Sequence, residues 1–431
     1  MRDGHEHTEG SHIRDLSNGG DNLYEKAALS VAILAMALVI GHTLYVFRFR
    51  YHEMAFDLYY LWTKRFSSGI NPWLARPHCL YPPAFLILVS PLTRLSQQSA
   101  YWIWQAVQVG AFFLSFFIML REIAPLTVAR LTVVLGILAL LLPYIFTSTL
   151  YESEPSALLL LLLIAAWRLA RHERPGWAGF ILALATVLKI YPVVAGGYFL
   201  FRRRLGTVLS GAAWTLILVL VTDPRRWIDA LSQGAGPYFN SLAWAANGSA
   251  ISIPINAYSA VSHFSTDSSR QMFWMLVLSL MLGLGLLVSA ALVTWRAADV
   301  AELDGMALGI WLTAMLLVCP LTWNHEITLM LPVYLLPVIY FVTRRPPIPR
   351  IGVSLFALGI AGIVIPYYST PMRKLHLYFF AVLIQYIATC ILIRCCSIEE
   401  ESIGQRAEDP SSRASSLPSR PDHNPRTARP R

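Results

Sequence analysis

Charge is what this chain has least of. Asp, Glu, Lys and Arg make up 14% of its 431 residues while hydrophobic residues make up 56%, a balance that excludes a soluble globular domain and fits a polytopic membrane protein. Cysteine is also sparse: the five, Cys79, Cys319, Cys390, Cys395 and Cys396, show no metal-ligand spacing with histidine, and Cys395-Cys396 beside Arg394 reads as either palmitoylated or inert. No acidic cluster resembles a magnesium site, so no metal is expected. There is no internal repeat, inverted or parallel. Residues 1–25 lack any apolar run and read as a disordered cytoplasmic tail with nothing like a cleavable signal, which makes the first span a retained anchor. Residues 397–431, rich in Ser, Pro, Arg and Glu, read as a second such tail, leaving 26–396 as one transmembrane domain.

The formal charge of +9 does not point to nucleic acid. Its arginines sit in short clusters between hydrophobic runs, the distribution of cytoplasmic loops. About 20 apolar residues are needed to cross a bilayer, fewer where a helix is broken or shielded. On that measure about twelve segments can cross: 27–47, 99–120, 131–149, 156–171, 177–188, 191–201, 206–221, 271–295, 304–320, 326–343, 351–367 and 375–394. Two points stay open, namely whether 80–95 crosses or dips in and whether 177–201 is one helix or two broken near Pro192. If 80–95 only dips, Arg121, Arg130, Arg168, Arg171, Arg174, the Arg202 to Arg204 run, Arg296 and Arg344-Arg345 all fall inside, as the positive-inside rule prefers. Asp57, Glu152, Glu154, Lys189 and His325 then share the outer face.

Polar groups gathered at one boundary suit a site better than a scaffold. In Phe56-Asp57-Leu58-Tyr59-Tyr60-Leu61-Trp62 an acid follows the first span, and a helix over 55–66 puts Asp57, Tyr60, Leu61 and Lys64 on one face. Asp57 is the candidate general base; its structural alternative is a cap or a salt bridge with Arg48 or Arg50. Loop 48–82 is outside yet carries Arg48, Arg50, Lys64, Arg65 and Arg76, which suits an anion such as a lipid phosphate. Proline restrains Tyr81 to an extended conformation in Tyr81-Pro82-Pro83, which can fix a tyrosine over a pocket or simply start a helix. Lys189, in an apolar run beside Tyr191-Pro192, is placed to bind a leaving phosphate or to snorkel. Trp323, His325 and Glu326 stand at one outer boundary, where a histidine can hold a phosphate or an acceptor by hydrogen bonds. Glu152 and Glu154 either cap the segment from Ser156 or bind sugar hydroxyls. Loop 222–270, with Trp227, Tyr238, Asn240, Trp244 and Asn247, either lines a sugar site or packs as a lid. Arg373, Lys374 and His376 can meet a lipid headgroup.

Taken in order, Asp57 with Tyr60, Gly69-Ile70-Asn71-Pro72-Trp73, Tyr81-Pro82-Pro83, Lys189-Ile190-Tyr191-Pro192, Asn247-Gly248-Ser249 and Pro320-Leu321-Thr322-Trp323-Asn324-His325 resemble glycosyltransferase family 87, the DUF2029 group that includes mycobacterial polyprenol-phosphate-mannose-dependent α-mannosyltransferases. The resemblance covers about residues 25–395. It implies an all-α GT-C fold with a catalytic first outer loop, inverting transfer from a polyprenyl-phosphate sugar, on the analogy mannose, to a lipid or glycan acceptor, and a site on the outer face of the bacterial cytoplasmic membrane. No cofactor is implied, and the partners are the donor, the acceptor and the bilayer. Asp57 matches the family's catalytic aspartate and His325 its histidine; Tyr60, Lys64, Tyr81, Lys189, Tyr191, Asn247 and Trp323 are the expected substrate contacts. Two departures stand out. Glu152-Ser153-Glu154-Pro155 replaces a Gly-Gln followed by Asn, and Glu326 replaces a second histidine. A transporter or lipid flippase is the rival, but its ionisable groups belong near mid-membrane between repeated halves. A non-catalytic scaffold, the remaining alternative, would tolerate Asp57→Asn.

Overall fold

The computed structural model describes residues 54–122, 127–241, 268–319, 324–344, 350–368 and 377–408, together with single helical positions between Lys26 and Tyr45. Among these residues every regular element is helical. In chain order the α-helices are α1 (Met54–Ser67), α2 (Pro83–Val89), α3 (Gln97–Glu122), α4 (Val128–Glu152), α5 (Ser156–Arg171), α6 (Pro175–Leu188), α7 (Gly196–Phe201), α8 (Leu205–Val221), α9 (Pro224–Ser241), α10 (Ser268–Arg296), α11 (Asp304–Val318), α12 (Leu331–Arg344), α13 (Arg350–Tyr368) and α14 (Leu377–Glu408). Short 3-10 turns follow α2, precede α7 and precede α12.

Three helical stretches, Gln97–Glu122, Val277–Arg296 and Phe380–Ile398, are long and apolar enough to cross a membrane by themselves, and a fourth follows if the bent pair α8 and α9 is one span. The remaining apolar stretches among the described residues, such as Leu131–Leu142 within α4, run 10–17 residues, so twelve crossings are not reached on the length and composition of the described residues alone. The stretch Pro83–Arg94 extends about 20 Å, at about 1.5 Å per residue in α2 and about 2.0 Å in the 3-10 turn that follows, short of a hydrocarbon core of about 30 Å. The open point at 177–201 resolves into a break: α6 ends at Leu188 and a 3-10 turn starts at Tyr191, where Pro192 cannot continue the helical bonding. At the C-terminus α14 runs on to Glu408, past the expected boundary at 396. Hydropathy ends near 398 but the following Glu and Gln residues are strong helix formers, so a helix outlasts its apolar segment.

The centre is α11, whose residues from Met306 through Leu317 are all buried, as expected of a helix that is apolar all round. Outer helices show the reverse, with Leu209, Leu216 and Val221 on α8 and Leu280, Met281 and Leu284 on α10 exposed, the surface an acyl chain would cover. Without a hydrophobic drive between helices in lipid, close backbone approach has to hold them. The α6–α8 contact shows it: a Cβ on Gly179 would lie 2.5 Å from the backbone N of Gly211 and 2.6 Å from Ser210 Cβ. Since backbone cannot swing aside, Gly179→Ala should separate the two helices and lower stability by about 1–3 kcal/mol. Thermal unfolding in detergent checks this; an unchanged midpoint would mean that the helices part without cost.

Candidate functional site

Helix α1 carries two working faces. Phe56, Tyr59, Trp62 and Thr63 are buried, while Leu61 and Lys64 are exposed and Asp57 and Tyr60 lie between. The expected helix and its shared face therefore form, and Asp57 sits in the first turn with Lys64 and Arg65 in the last, each on the side that the helix dipole favours. Asp57 Oδ1 accepts a hydrogen bond from Gln97 Nε2 at the start of α3, and Tyr60 donates to the Leu95 carbonyl at 2.8 Å. This face is thus fastened to the turn that leads into α3. Lys64 is about 10 Å further along the axis by the helical rise.

The segment after α1 folds back on it through its own motif residues. Gly69 has φ +78, a conformation that favours glycine. Asn71 Oδ1 accepts from the Trp73 backbone N at 3.0 Å and its Nδ2 donates to Asp229 Oδ2 on α9 at 2.8 Å. The Trp62 and Trp73 indoles donate to the Pro77 and Tyr81 carbonyls at 2.7 and 3.0 Å. Asn71-Pro72-Trp73 is therefore a fastening that presents Tyr81. Cys79 lies within it, fully buried, and burial pushes its thiol up to about 12.

The other face of α1 leads into a buried chain of polar groups. Tyr59 OH and Tyr81 OH are 3.1 Å apart, and Tyr81 donates to Glu154 Oε2. Lys189 Nζ lies 3.1 Å from Glu154 Oε2 and 2.8 Å from Glu326 Oε1, and 5.6 and 5.3 Å from the ring centroids of Tyr81 and Tyr191. Burial first, then the Glu154 charge, hold the Tyr81 phenol well above its ordinary value, so it stays a donor. Each charged member sits at a break between helices: Glu154 between α4 and α5, Lys189 after α6, Glu326 in the turn before α12. Breaks supply backbone that does not follow the helical wheel, so side chains can turn inward and meet. The Glu154 turn is itself anchored by α3, where Trp104 Nε1 and Gln105 Nε2 donate to the Ser153 carbonyl and hydroxyl, both at 2.7 Å.

Tyr81, Lys189 and Tyr191 are therefore brought together, joined by Glu154 and Glu326. Asp57 and Tyr60 are on the other face of α1, about 200° from Tyr59 for the two-residue step from Asp57. Of the two readings of Glu152 and Glu154, a side-chain cap of α5 does not form; α5 has no side-chain cap bond, and Glu154 spends its carboxylate on Tyr81 and Lys189. Glu326, read in the sequence as a boundary carboxylate and a departure from the family pattern but not as a partner of Lys189, is fully buried and belongs to the cluster. Its signal was the lysine: a cation inside an apolar run needs carboxylates, and few are available at that boundary. Asn247, Trp323 and the Arg373 to His376 segment lie outside the described residues, as does the side chain of His325, whose backbone directly precedes Glu326. Of loop 222–270, Trp227 is buried and donates to Thr222 Oγ1 at 2.7 Å. Among the described residues no three His, Cys, Asp or Glu side chains gather as a metal site.

At the opposite ends of the same helices the charge reverses. Buried Asp304 lies 3.8, 3.0 and 3.2 Å from the guanidinium nitrogens of Arg171, Arg202 and Arg204, and it accepts from Tyr198 and Trp167 at 2.7 and 2.9 Å. The two clusters mark the two ends of a helical bundle.

An all-helical, lipid-suited bundle with an amphipathic acid-bearing helix and a buried Tyr–Glu–Lys–Glu chain at one end defines a polytopic membrane protein with a polar site between helix breaks. Residues 80–320, more than half of the chain, match the model of glycosyltransferase family 87, and the protein belongs to that family. It is 27% identical over 206 residues to the polyprenol-phosphate-mannose-dependent α-(1-2)-phosphatidylinositol mannoside mannosyltransferase of Mycolicibacterium smegmatis, a match that spans 47% of this chain and 45% of that protein. No solved structure matches the chain. Tyr81, Glu154, Lys189 and Tyr191 fall inside the family match; Asp57 precedes it and His325 and Glu326 follow it.

The cluster's energetics can be measured without any substrate. Removing one partner of a buried ion group costs about 3–5 kcal/mol because the remaining charge is uncompensated. Lys189→Met should therefore lower stability by that amount, whereas Lys189→Met combined with Glu326→Gln should recover a large part of it. Thermal unfolding in detergent reads both. A double variant whose loss equals the sum of the losses of Lys189→Met alone and Glu326→Gln alone would show that the ions are not coupled.

Proposed function

We propose that the protein is an integral-membrane glycosyltransferase that moves a hexose from a polyprenyl-phosphate donor to a lipid or glycan acceptor on the outer face of the cytoplasmic membrane. Mannose is the proposed sugar, by analogy with the mycolicibacterial relative. Asp57 takes the proton of the acceptor hydroxyl; the oxygen attacks the anomeric carbon in line, the bond from that carbon to the phosphate oxygen breaks, and polyprenyl phosphate leaves with the electron pair.

The observation that carries this reading is the setting of Asp57, a half-buried carboxylate on the first helix after the leading apolar run, oriented by Gln97. A carboxylate has about four lone-pair positions, and one is used in that bond. Arg65, eight residues along the same helix, supports the other half of the reaction: its Nη1 is buried without a hydrogen-bond partner. The axial rise from Asp57 to Arg65 is about 12 Å, and both side chains extend from the same helix. Lys64, exposed beside Arg65, and His325 complete the proposed set of groups for the phosphate. The cations can take the charge that a metal would otherwise neutralise, so transfer is expected to be metal-independent.

Purified protein in nanodiscs, given radiolabelled polyprenyl-phosphate mannose and membrane lipid extract, should form a labelled lipid or glycan product. Asp57→Asn should fold and bind donor but transfer at least about 100-fold more slowly, the lower range for loss of a general base. Equal rates for both proteins would remove Asp57 from the mechanism. Loss of wild-type transfer in excess EDTA would contradict metal independence.

A further inference from the structure

Charge decides which end of a lipid-linked sugar can enter the Lys189 cluster. One ammonium faces two carboxyl groups, at 3.1 Å for Glu154 and 2.8 Å for Glu326, so acidic side chains outnumber the cation here. In a site of low dielectric a phosphate would be repelled by that surplus, whereas neutral hydroxyls would not. Access runs through two of the three: the Lys189 and Glu154 side chains are 17% and 12% exposed, and Glu326 is 0% exposed. The same place holds a polar group with no partner. Tyr191 is 9% exposed, its ring centroid is 5.3 Å from Lys189 Nζ, and its buried hydroxyl makes no hydrogen bond. Buried hydroxyls are normally satisfied, by protein, water or ligand, so this one marks where a ligand group belongs.

We propose that Glu154, Lys189 and Tyr191 form a polyol subsite that takes ring hydroxyls of a pyranose, and that the donor phosphate is bound elsewhere. The proposal rests on the glycosyl-transfer reading above. Carboxylate, ammonium and phenol supply an acceptor, a donor and a group that is both, which is what adjacent hydroxyls need. The Tyr81 and Tyr191 rings, on which the ammonium rests, give the subsite apolar walls for the C–H face of a sugar. Glu326 stays out of reach of the sugar and works as a positioning residue that keeps Lys189 charged and aimed.

The test uses full-length protein in nanodiscs and three probes: polyprenyl-phosphate mannose, polyprenyl phosphate without sugar, and a mannosylated lipid acceptor. Tyr191→Phe removes one oxygen that bonds nothing in the protein, so its thermal unfolding should equal wild type; Glu154→Gln keeps the shape and removes the charge. Both should weaken binding of polyprenyl-phosphate mannose about tenfold and leave polyprenyl phosphate within twofold of wild type, placing the donor sugar in the subsite. The same loss confined to the mannosylated acceptor would place the acceptor's sugar there and also support the proposal. Equal weakening of the sugar-free lipid would overturn it in favour of a phosphate site, and no change for any probe would make the cluster a scaffold. Failure of wild type to bind any of the three is a different result, since it removes the glycosyl-transfer reading and the subsite with it.

Discussion

A lysine ammonium held between the buried carboxylate of Glu326 and the part-buried carboxylate of Glu154 is the interaction on which the rest of this structure depends. Removing three ions from water costs several kcal/mol for each, and that cost is offset only where attraction and hydrogen bonding are close to ideal. Here the distances are 2.8 and 3.1 Å, with Tyr81 donating to the same carboxylate that Lys189 meets. Because Glu154, Lys189 and Glu326 come from three separate helix breaks, and Tyr81 and Tyr59 extend the chain to α2 and α1, satisfying one lysine fixes five segments relative to one another. In lipid, where helices gain nothing by hiding apolar surface from apolar surroundings, such polar ties and the close approach at Gly179 are what specify an arrangement.

The two ends of the bundle solve the same problem with opposite signs. At one end a lysine is surrounded by two carboxylates, and at the other an aspartate is surrounded by three arginines. Helices α5, α6 with its 3-10 continuation, and α11 run between the two clusters, so their axial positions are determined at both ends. The arginine-rich end is the one the positive-inside rule assigns to the cytoplasm. On the proposed orientation the lysine end faces the outer leaflet.

Much of this was legible in residue types. The helical class followed from hydropathy and the helix carrying Asp57 from its periodicity; Pro192 marked one of two readings left open at 177–201, and the distribution of charge put Glu154 and Lys189 on one face. The pairing was not legible. Glu154 also read as a helix cap, and Glu326 as a boundary carboxylate out of the family pattern, because contacts between residues 35 and 137 positions apart leave no mark on local periodicity. The count of crossings was also less certain than hydropathy suggested. Helices shielded by neighbours can be shorter than a bilayer is thick, as buried α11 is at 15 residues, so length and composition alone pass over such inner helices.

The division of α1 into two faces gives the site its logic. Tyr59, turned inward, ties the helix to the buried ion cluster, and Asp57, turned the other way, is fastened through Gln97 to α3. The helix cannot rotate to relieve one contact without breaking the other. A base that must stand within hydrogen-bond reach of an acceptor hydroxyl needs that constraint, since small displacements of a catalytic group are costly in rate. Because α3 also anchors the turn carrying Glu154, one helix sets the position of the carboxylate proposed to take the proton and of the carboxylate proposed to hold the sugar. The separation between these two groups is therefore a property of α3 and its partners, and not of the loop that connects them in sequence.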